Sequence, residues 1–217
     1  MKEIRQKAPE KVWAEFKEEQ NLTDNQIKQF KKYYEILDEW NQQINLTAIK
    51  GLSGIIRQHF VDSLALTKFK DLKKIKSIAD IGAGAGFPAI PLKILYPNLS
   101  ILLIESNHKK QNFLKALIEE LDLKNVEICD LDWRTFLRTT QGDIDLFVSR
   151  AAMDEVELCR MFRSNSDYKD AELIYWVTEA WEPEEKVKKY LKDLKEYKVG
   201  KKVRKLSFWK LPLKSSS

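Results

Sequence analysis

The stretch Asp80-Ile81-Gly82-Ala83-Gly84-Ala85-Gly86-Phe87-Pro88 decides how this chain is read. It continues a short apolar run, Ile78-Ala79-Asp80-Ile81, and its three glycines fall at alternate positions. Glycine lets a backbone turn tightly and lets a ligand approach it with no Cβ in the way. Pro88 suits the first turn of a following helix, where a missing N–H does no harm. A strand running into such a loop places a ligand beyond the strand's carboxyl end. Spacing narrows the ligand. The dinucleotide fingerprint after Gly82 and Gly84 needs glycine or alanine at position 87, which is Phe87, and no Gly-Lys-Ser/Thr follows to make a Walker loop. The plain alternative is an ordinary tight strand-to-helix turn.

Outward from the loop, short apolar runs recur. Ile101-Leu102-Leu103-Ile104 ends in Glu105, and Val126-Glu127-Ile128-Cys129, Ile144-Asp145-Leu146-Phe147-Val148 and Leu173-Ile174-Tyr175-Trp176-Val177 follow. Helical patterns lie between most of them, the clearest carrying Phe113, Leu114, Leu117, Ile118 and Leu121 on one side. That alternation predicts βαβ units and a parallel sheet covered on both faces. Val203, Leu206 and Phe208 around Gly200 read as a terminal hairpin. Before the sheet the chain reads as helical. Thr23-Asp24-Asn25-Gln26 has the capping-box form, and Ile27, Phe30, Tyr34, Leu37 and Trp40 recur at helical steps. Asn45-Leu46-Thr47 interrupts this pattern, and Ile55 to Leu66 resumes it. The expected organisation is one structural domain, with a helical extension over 1–70 and a Rossmann-like core with a basic hairpin over 71–217.

Asp-x-Gly-x-Gly-x-Gly is similar to the loop of class I S-adenosylmethionine-dependent methyltransferases, an α/β fold with a mostly parallel seven-stranded sheet. Gly82 and Gly84 would then approach the cofactor, and Glu105, at the end of the second strand, would bind both ribose hydroxyls. An acid at that place would serve NAD equally, so Glu105 does not separate the two cofactors. Asp130-Leu131-Asp132-Trp133-Arg134 leaves the third strand where such a sheet borders the adenine, and Trp133 either stacks there or packs on its neighbours.

Composition excludes several classes. Of 217 residues, 43% are hydrophobic and 33% charged, which fits neither a disordered nor a collagen-like chain. No run of 18 apolar residues exists to span a membrane, and Met1-Lys2-Glu3-Ile4-Arg5 does not read as a secretory signal. Cys129 and Cys159 form no Cys-x-x-Cys, and His59 and His108 are the only histidines, so no metal site is expected and the cytoplasm is the expected compartment. Lys186 to Lys205 holds ten Lys or Arg against two acids, a local +8 within a net +5, which leaves −3 elsewhere. A basic segment on a near-neutral body suits a polyanionic partner, with a solvated lysine-rich helix face as the alternative.

The residues together resemble the bacterial small-subunit ribosomal RNA methyltransferase G family, also called glucose-inhibited division protein B. The matching pieces are Trp40-Asn41, Asn45-Leu46-Thr47, His59-Phe60-Val61-Asp62-Ser63, the loop from Asp80 continued to Pro91, Glu105-Ser106, Lys109-Lys110 before Phe113-Leu114, and Ser149-Arg150-Ala151. They run in order from about position 40 to 151. The resemblance implies that Gly82, Phe87, Trp133, Arg134 and Arg150 line a site for S-adenosylmethionine. It also implies methyl transfer to N7 of a guanine in 16S ribosomal RNA. The partner would be that RNA or the small ribosomal subunit, and the enzyme a monomer. The chain departs from the family at Gln58 where Arg is usual, at Asp132 where a basic residue is common, and after Ala151. A degenerate RNA-binding paralogue and a nicotinamide-dependent oxidoreductase are the competing readings.

Guanine N7 has an in-plane lone pair and no proton at neutral pH, so the reaction asks for alignment and no general base or metal. No catalytic acid or base is therefore assigned. For the substrate side, Asn45 either orients the base or caps a helix, and His59 either contacts RNA or is a hydrogen-bonded structural histidine. Lys109 and Lys110 open a helix whose dipole opposes cations, which favours phosphate contact. Arg150 ends the fourth strand beside the expected site, with a surface ion pair as its alternative.

Overall fold

The computed structural model describes residues 8–150, 154, 156, 157, 159, 167, 168 and 171–210. Ala151, the Met1–Arg5 start and Ser215–Ser217 lie outside the described residues. Among the described residues seven strands form one sheet: β1 (Ser77–Ile81), β2 (Ser100–Ile104), β3 (Val126–Cys129), β4 (Leu146–Ser149), β5 (Glu172–Thr178), β6 (Leu191–Val199) and β7 (Lys202–Lys210). Their order is β3-β2-β1-β4-β5-β7-β6. The first five are parallel, and β7 enters antiparallel between β5 and β6. This is the mostly parallel seven-stranded α/β sheet expected from the sequence.

β4 begins two residues later than its apolar run. Asp145 accepts the N–H groups of Lys76 and Ser77 at 2.6 and 3.1 Å, so it clamps the entry of β1 and leaves the strand to start at Leu146. The basic segment is a correction to the helix-face alternative: all but its first residues form β6 and β7, joined by a two-residue turn with Gly200 at φ +60°.

Helices α1 (Pro9–Glu19) and α2 (Asp24–Asn41) precede the sheet. The capping box of α2 forms as read, Thr23 accepting from the Gln26 N–H and the Gln26 side chain accepting from the Thr23 N–H. Gln26 also donates to the carbonyls of Ile94 and Leu95 at the end of α5 (Ala89–Leu95), and Gln29 to that of Leu121 just past α6 (His108–Glu120). Helix ends leave carbonyls without intrahelical partners, and α2 supplies donors for them. The buried side of α2 differs slightly from the expected one: Ile27, Phe30, Tyr33, Ile36 and Leu37 are buried, while Tyr34 and Trp40 are partly covered. Residues 52–68 form one helical path: α3 (Leu52–Ile55), a π-helical turn (Ile56–Val61), α4 (Asp62–Leu64) and a 3₁₀ turn (Ala65–Lys68). Among the described residues no helix is long and apolar enough to cross a membrane.

Candidate functional site

The carboxyl ends of β1, β2 and β3 meet. Gly82 and Ala83 donate to the carbonyl of Ile104 at 2.9 and 3.2 Å, and the Glu105 N–H donates to that of Cys129 at 3.0 Å. Gly82, Gly84 and Gly86 all adopt positive φ, at +71°, +57° and +85°. The last two serve different purposes. A Cβ on Gly84 would meet only the Gly82 carbonyl oxygen, at 3.7 Å, so this position faces open space. A Cβ on Gly86 would lie 2.8 Å from Ile90 Cγ1 and 2.9 Å from the Tyr33 hydroxyl. Gly86 is therefore a packing glycine, and Gly84 is the one over which a ligand can lie. Pro88 stands as the cap just ahead of α5 rather than inside its first turn.

Two carboxylates support the loop from below. Glu105, 8% exposed, accepts from Gly84 N–H and Asn107 N–H, both at 2.9 Å. Asp80 is fully buried; its Oδ2 accepts from Ala89 N–H at 3.1 Å, while Oδ1 has no hydrogen-bond partner among the described residues. Burial pushes the Asp80 carboxyl up to about 7, against the pull of the Ala89 N–H and of Arg150, and Glu105 adds to the rise. Two of the backbone donors that a diphosphate would use at such a loop, Gly84 N–H and the Ala89 N–H that opens α5, are thus already engaged by acids. A ligand here should be free of phosphate and carry positive charge.

Phe87 turns away from the loop. Its ring, 7% exposed, lies between those of Tyr33 (5.3 Å, 12°) and His59 (4.4 Å, 5°). Tyr33 in turn donates to the Ala85 carbonyl at 2.5 Å, fastening α2 to the glycine loop. The Arg150 guanidinium lies 5.6 Å from the Phe87 ring centre and donates to the carbonyls of Gln58 and His59, to Ser63 Oγ and to His59 Nδ1. Because Nδ1 accepts from Arg150, the His59 proton is on Nε2, which donates to Thr47 Oγ1 at 2.7 Å. Burial first, and Arg150 second, push His59 down to about 3, so it is a neutral ring at physiological pH. Arg150 is also 3.3 Å from Asp62, whose side chain is 3% exposed. This is a buried ion pair, not a surface one. Asp62 also accepts from the Tyr197 hydroxyl at 2.6 Å and lies 3.4 Å from Arg204 Nε, and its carbonyl takes the Trp176 indole N–H. One aspartate thereby joins the helical layer to β4, β5, β6 and β7.

The remaining sequence-predicted residues are spread around this centre. Trp133 and Arg134 begin α7 (Trp133–Thr139), which Asp132 caps by accepting the N–H groups of Arg134 and Thr135. Arg134 lies over the Trp133 ring at 4.6 Å and pairs with Glu157. Lys109 and Lys110 are in the first turn of α6, their N–H groups taken by Asn107 and Lys109 exposed. Asn45 is exposed and caps no helix, since α3 starts at Leu52. The neighbouring Asn41 shapes that loop, accepting from Leu46 and Thr47 N–H and donating to the Thr47 carbonyl.

With this geometry in place, the family model described as rRNA small subunit methyltransferase G matches residues 26–206. The chain belongs to that family. It is similar to a protein named ribosomal RNA small subunit methyltransferase G from Macrococcus caseolyticus, 54% identical over 104 residues, or 48% of this chain and 44% of that one. A protein of the same name from the Aster yellows witches'-broom phytoplasma is 42% identical over 135 residues, 62% of this chain and 64% of the relative. The chain spans about half the length of the curated relatives it matches. Among solved structures, the mitomycin 7-O-methyltransferase MmcR superposes with a TM-score of 0.54 at 13% identity, over 93% of this chain and 72% of that one. The fold is accordingly that of the class I methyltransferases, as the glycine spacing led us to expect. For this family member, sequence reading assigned no role to Asp80, Asp62 or Tyr33. Asp80 was visible as the acid opening the glycine motif. Asp62 was visible as a member of the matching piece His59-Phe60-Val61-Asp62-Ser63, but nothing local in that piece gives its partners on the sheet.

Proposed function

We propose that this chain uses S-adenosylmethionine to methylate N7 of a guanine in 16S ribosomal RNA. The observation that carries this reading is the pairing of an open Gly84 with two carboxylates that occupy the loop's backbone donors. Such a loop favours a cationic, phosphate-free cofactor over a dinucleotide. That cofactor would supply a methyl group already activated by positive charge on sulfur. Gly82 and Gly84 leave room for it, Asp80 faces its charge through the unpartnered Oδ1, and Glu105 binds its ribose with the lone pairs not engaged by Gly84 and Asn107. Trp133 and Arg134 border the adenine side.

Phe87, His59 and Arg150 act from behind the loop. The stacked rings and the guanidinium hold the chain at Phe87 in position, and alignment of donor and acceptor is the contribution this reaction needs from the protein. Asn45, Lys109 and Lys110 meet the RNA at the rim. The helical layer from Pro9 to Lys68 serves as the back wall of the sheet core, within the division into 1–70 and 71–217, and the enzyme works as a monomer in the cytoplasm. The test is to incubate the purified chain with S-adenosylmethionine and 16S RNA or small subunits lacking the modification, then map N7-methylguanine. Stabilisation by NAD and not S-adenosylmethionine in a thermal-shift assay would refute the cofactor. S-adenosylmethionine binding with no N7 methylation of either substrate would refute the reaction.

A further inference from the structure

Between the π-helical turn and the hairpin lies a cavity of about 210 Å³, lined by Ile49, Val199, His59 and the polar groups discussed next. Strand geometry explains its charge. Residues two apart on β7 share a face, so Lys202 and Arg204 point the same way, opposite Val199 and Tyr197 of β6. That face looks onto Gln58, Asp62 and Arg150. Three cations and one carboxylate therefore surround the cavity, with His59 a neutral wall.

The cations are not equally engaged. Arg150 has four hydrogen bonds to the helical layer. Lys202 has one, to the Gln58 side chain at 3.0 Å. Arg204 is within 3.4 Å of Asp62, yet among the described residues its buried Nε makes no hydrogen bond, and Asp62 Oδ2 likewise has none. Its guanidinium makes no other ion pair among the described residues. A guanidinium 28% exposed, held on its buried side by Asp62 and lying beside a lysine along the cavity wall, has the chemistry of an oxyanion receptor.

We propose that this cavity is a phosphate site, with Arg204 and Lys202 as its donors, taking one backbone phosphodiester of the RNA. The proposal rests on the RNA-methyltransferase reading for the source of the phosphate, and on the cavity alone for the phosphate chemistry. Asp62 holds Arg204 in place at the cavity wall. Arg150 and His59 belong to the cavity wall and also to the Phe87 stack, so a phosphate seated here lies next to the groups that hold the glycine loop.

The test uses the full chain and a labelled RNA stem-loop carrying the target guanine. RNA affinity is measured against salt for Arg204→Gln, for Lys202→Gln at the exposed turn, and for a control, Lys192→Gln. Lys192 lies roughly 25 Å along β6 from the turn at about 3.3 Å per residue. Each variant is first checked for wild-type S-adenosylmethionine affinity. The expected result is a loss of roughly ten- to a hundredfold for Arg204→Gln and a smaller loss for Lys202→Gln. The salt slope should fall by about 0.7 to 0.9 for each lost contact, with the control unmoved. Wild-type RNA affinity in both cavity variants overturns the proposal and leaves the methyltransferase reading untouched, as does an equal loss in all three, which would mean diffuse attraction. If the wild type binds no RNA, the RNA reading falls, and titration with inorganic phosphate followed by ³¹P NMR decides. Saturable binding lost in Arg204→Gln then supports a site for free phosphate, and its absence overturns the site altogether.

Discussion

If the cofactor's positive charge lies against Asp80 as proposed, cofactor affinity should depend on pH in a way that can be worked out in advance. Its carboxyl sits at about 7 because burial disfavours the charge. A cationic ligand above the loop needs the ionised form. The fraction ionised is about a tenth at pH 6 and about nine tenths at pH 8, so affinity should rise about tenfold across that interval, a change worth ~1.4 kcal/mol. Binding near pH 6.5 should release more than about half a proton, measurable by calorimetry in buffers of different ionisation enthalpy. Asp80→Asn keeps the acceptor for Ala89 N–H, removes the charge and should flatten the profile while weakening binding at pH 8. The same substitution should stabilise the free protein. A folded pKa above the unfolded value of 3.8 gives stability that is full below 3.8 and is lost as pH rises through about 7. The variant should therefore gain on the wild type by about 1.4 kcal/mol per pH unit across that window in urea unfolding. A flat wild-type affinity between pH 6 and 8, or the same slope in Asp80→Asn, would refute the reasoning.

Glu105→Gln retains an acceptor for only one of Gly84 N–H and Asn107 N–H, so it should cost about 1–3 kcal/mol of stability and weaken S-adenosylmethionine roughly ten- to a hundredfold; calorimetry showing an unchanged dissociation constant would place the ribose elsewhere. Gly84→Ala should keep the fold at a strain of about 1–2 kcal/mol and lose cofactor affinity, whereas Gly86→Ala, which also drives a methyl into Ile90 and Tyr33, should lose about 2–4 kcal/mol in thermal or urea unfolding. The reverse order would exchange the roles assigned to the two glycines. Replacing Lys109 and Lys110 together by Gln should reduce the salt slope of RNA binding by up to about 0.7 to 0.9 per contact and leave cofactor affinity unchanged. His59 is held at about 3, so it contributes stability above its ordinary value of 6.5 that is lost as pH falls towards 3; His59→Gln should remove about 1.4 kcal/mol per unit of that acid sensitivity in unfolding experiments.

The parts of the fold read correctly from sequence are those set by local pattern. Glycines at alternate positions after an apolar run specify a loop at positive φ, and the strands β1 to β3 coincide with their apolar runs to within a residue. The capping box of α2 is local too, its partners three residues apart. What escaped depends on residues brought together by the sheet. The choice of Tyr33 over Tyr34 as the buried member of α2 depends on a carbonyl 52 residues away. β4 starts late because Asp145 is claimed by β1, which no periodicity in its own segment records.

The proposed cofactor and phosphate sites differ in the same respect. Glu105 and the glycines lie at the ends of neighbouring parallel strands, so strand order alone aligns them. Asp62 acts through Tyr197, 135 residues away, and through Arg204 on the next strand. No spacing rule relates these positions, because a hairpin inserted antiparallel beside β5 sets their distance. The charge of the basic segment was legible as a sum, but its use depends on strand alternation. Lys202 and Arg204 turn towards the helical layer, while Val203 and Lys205 lie on the opposite face. Counting lysines therefore says that an anion is attracted, and only the register of β6 against β7 says where it would sit.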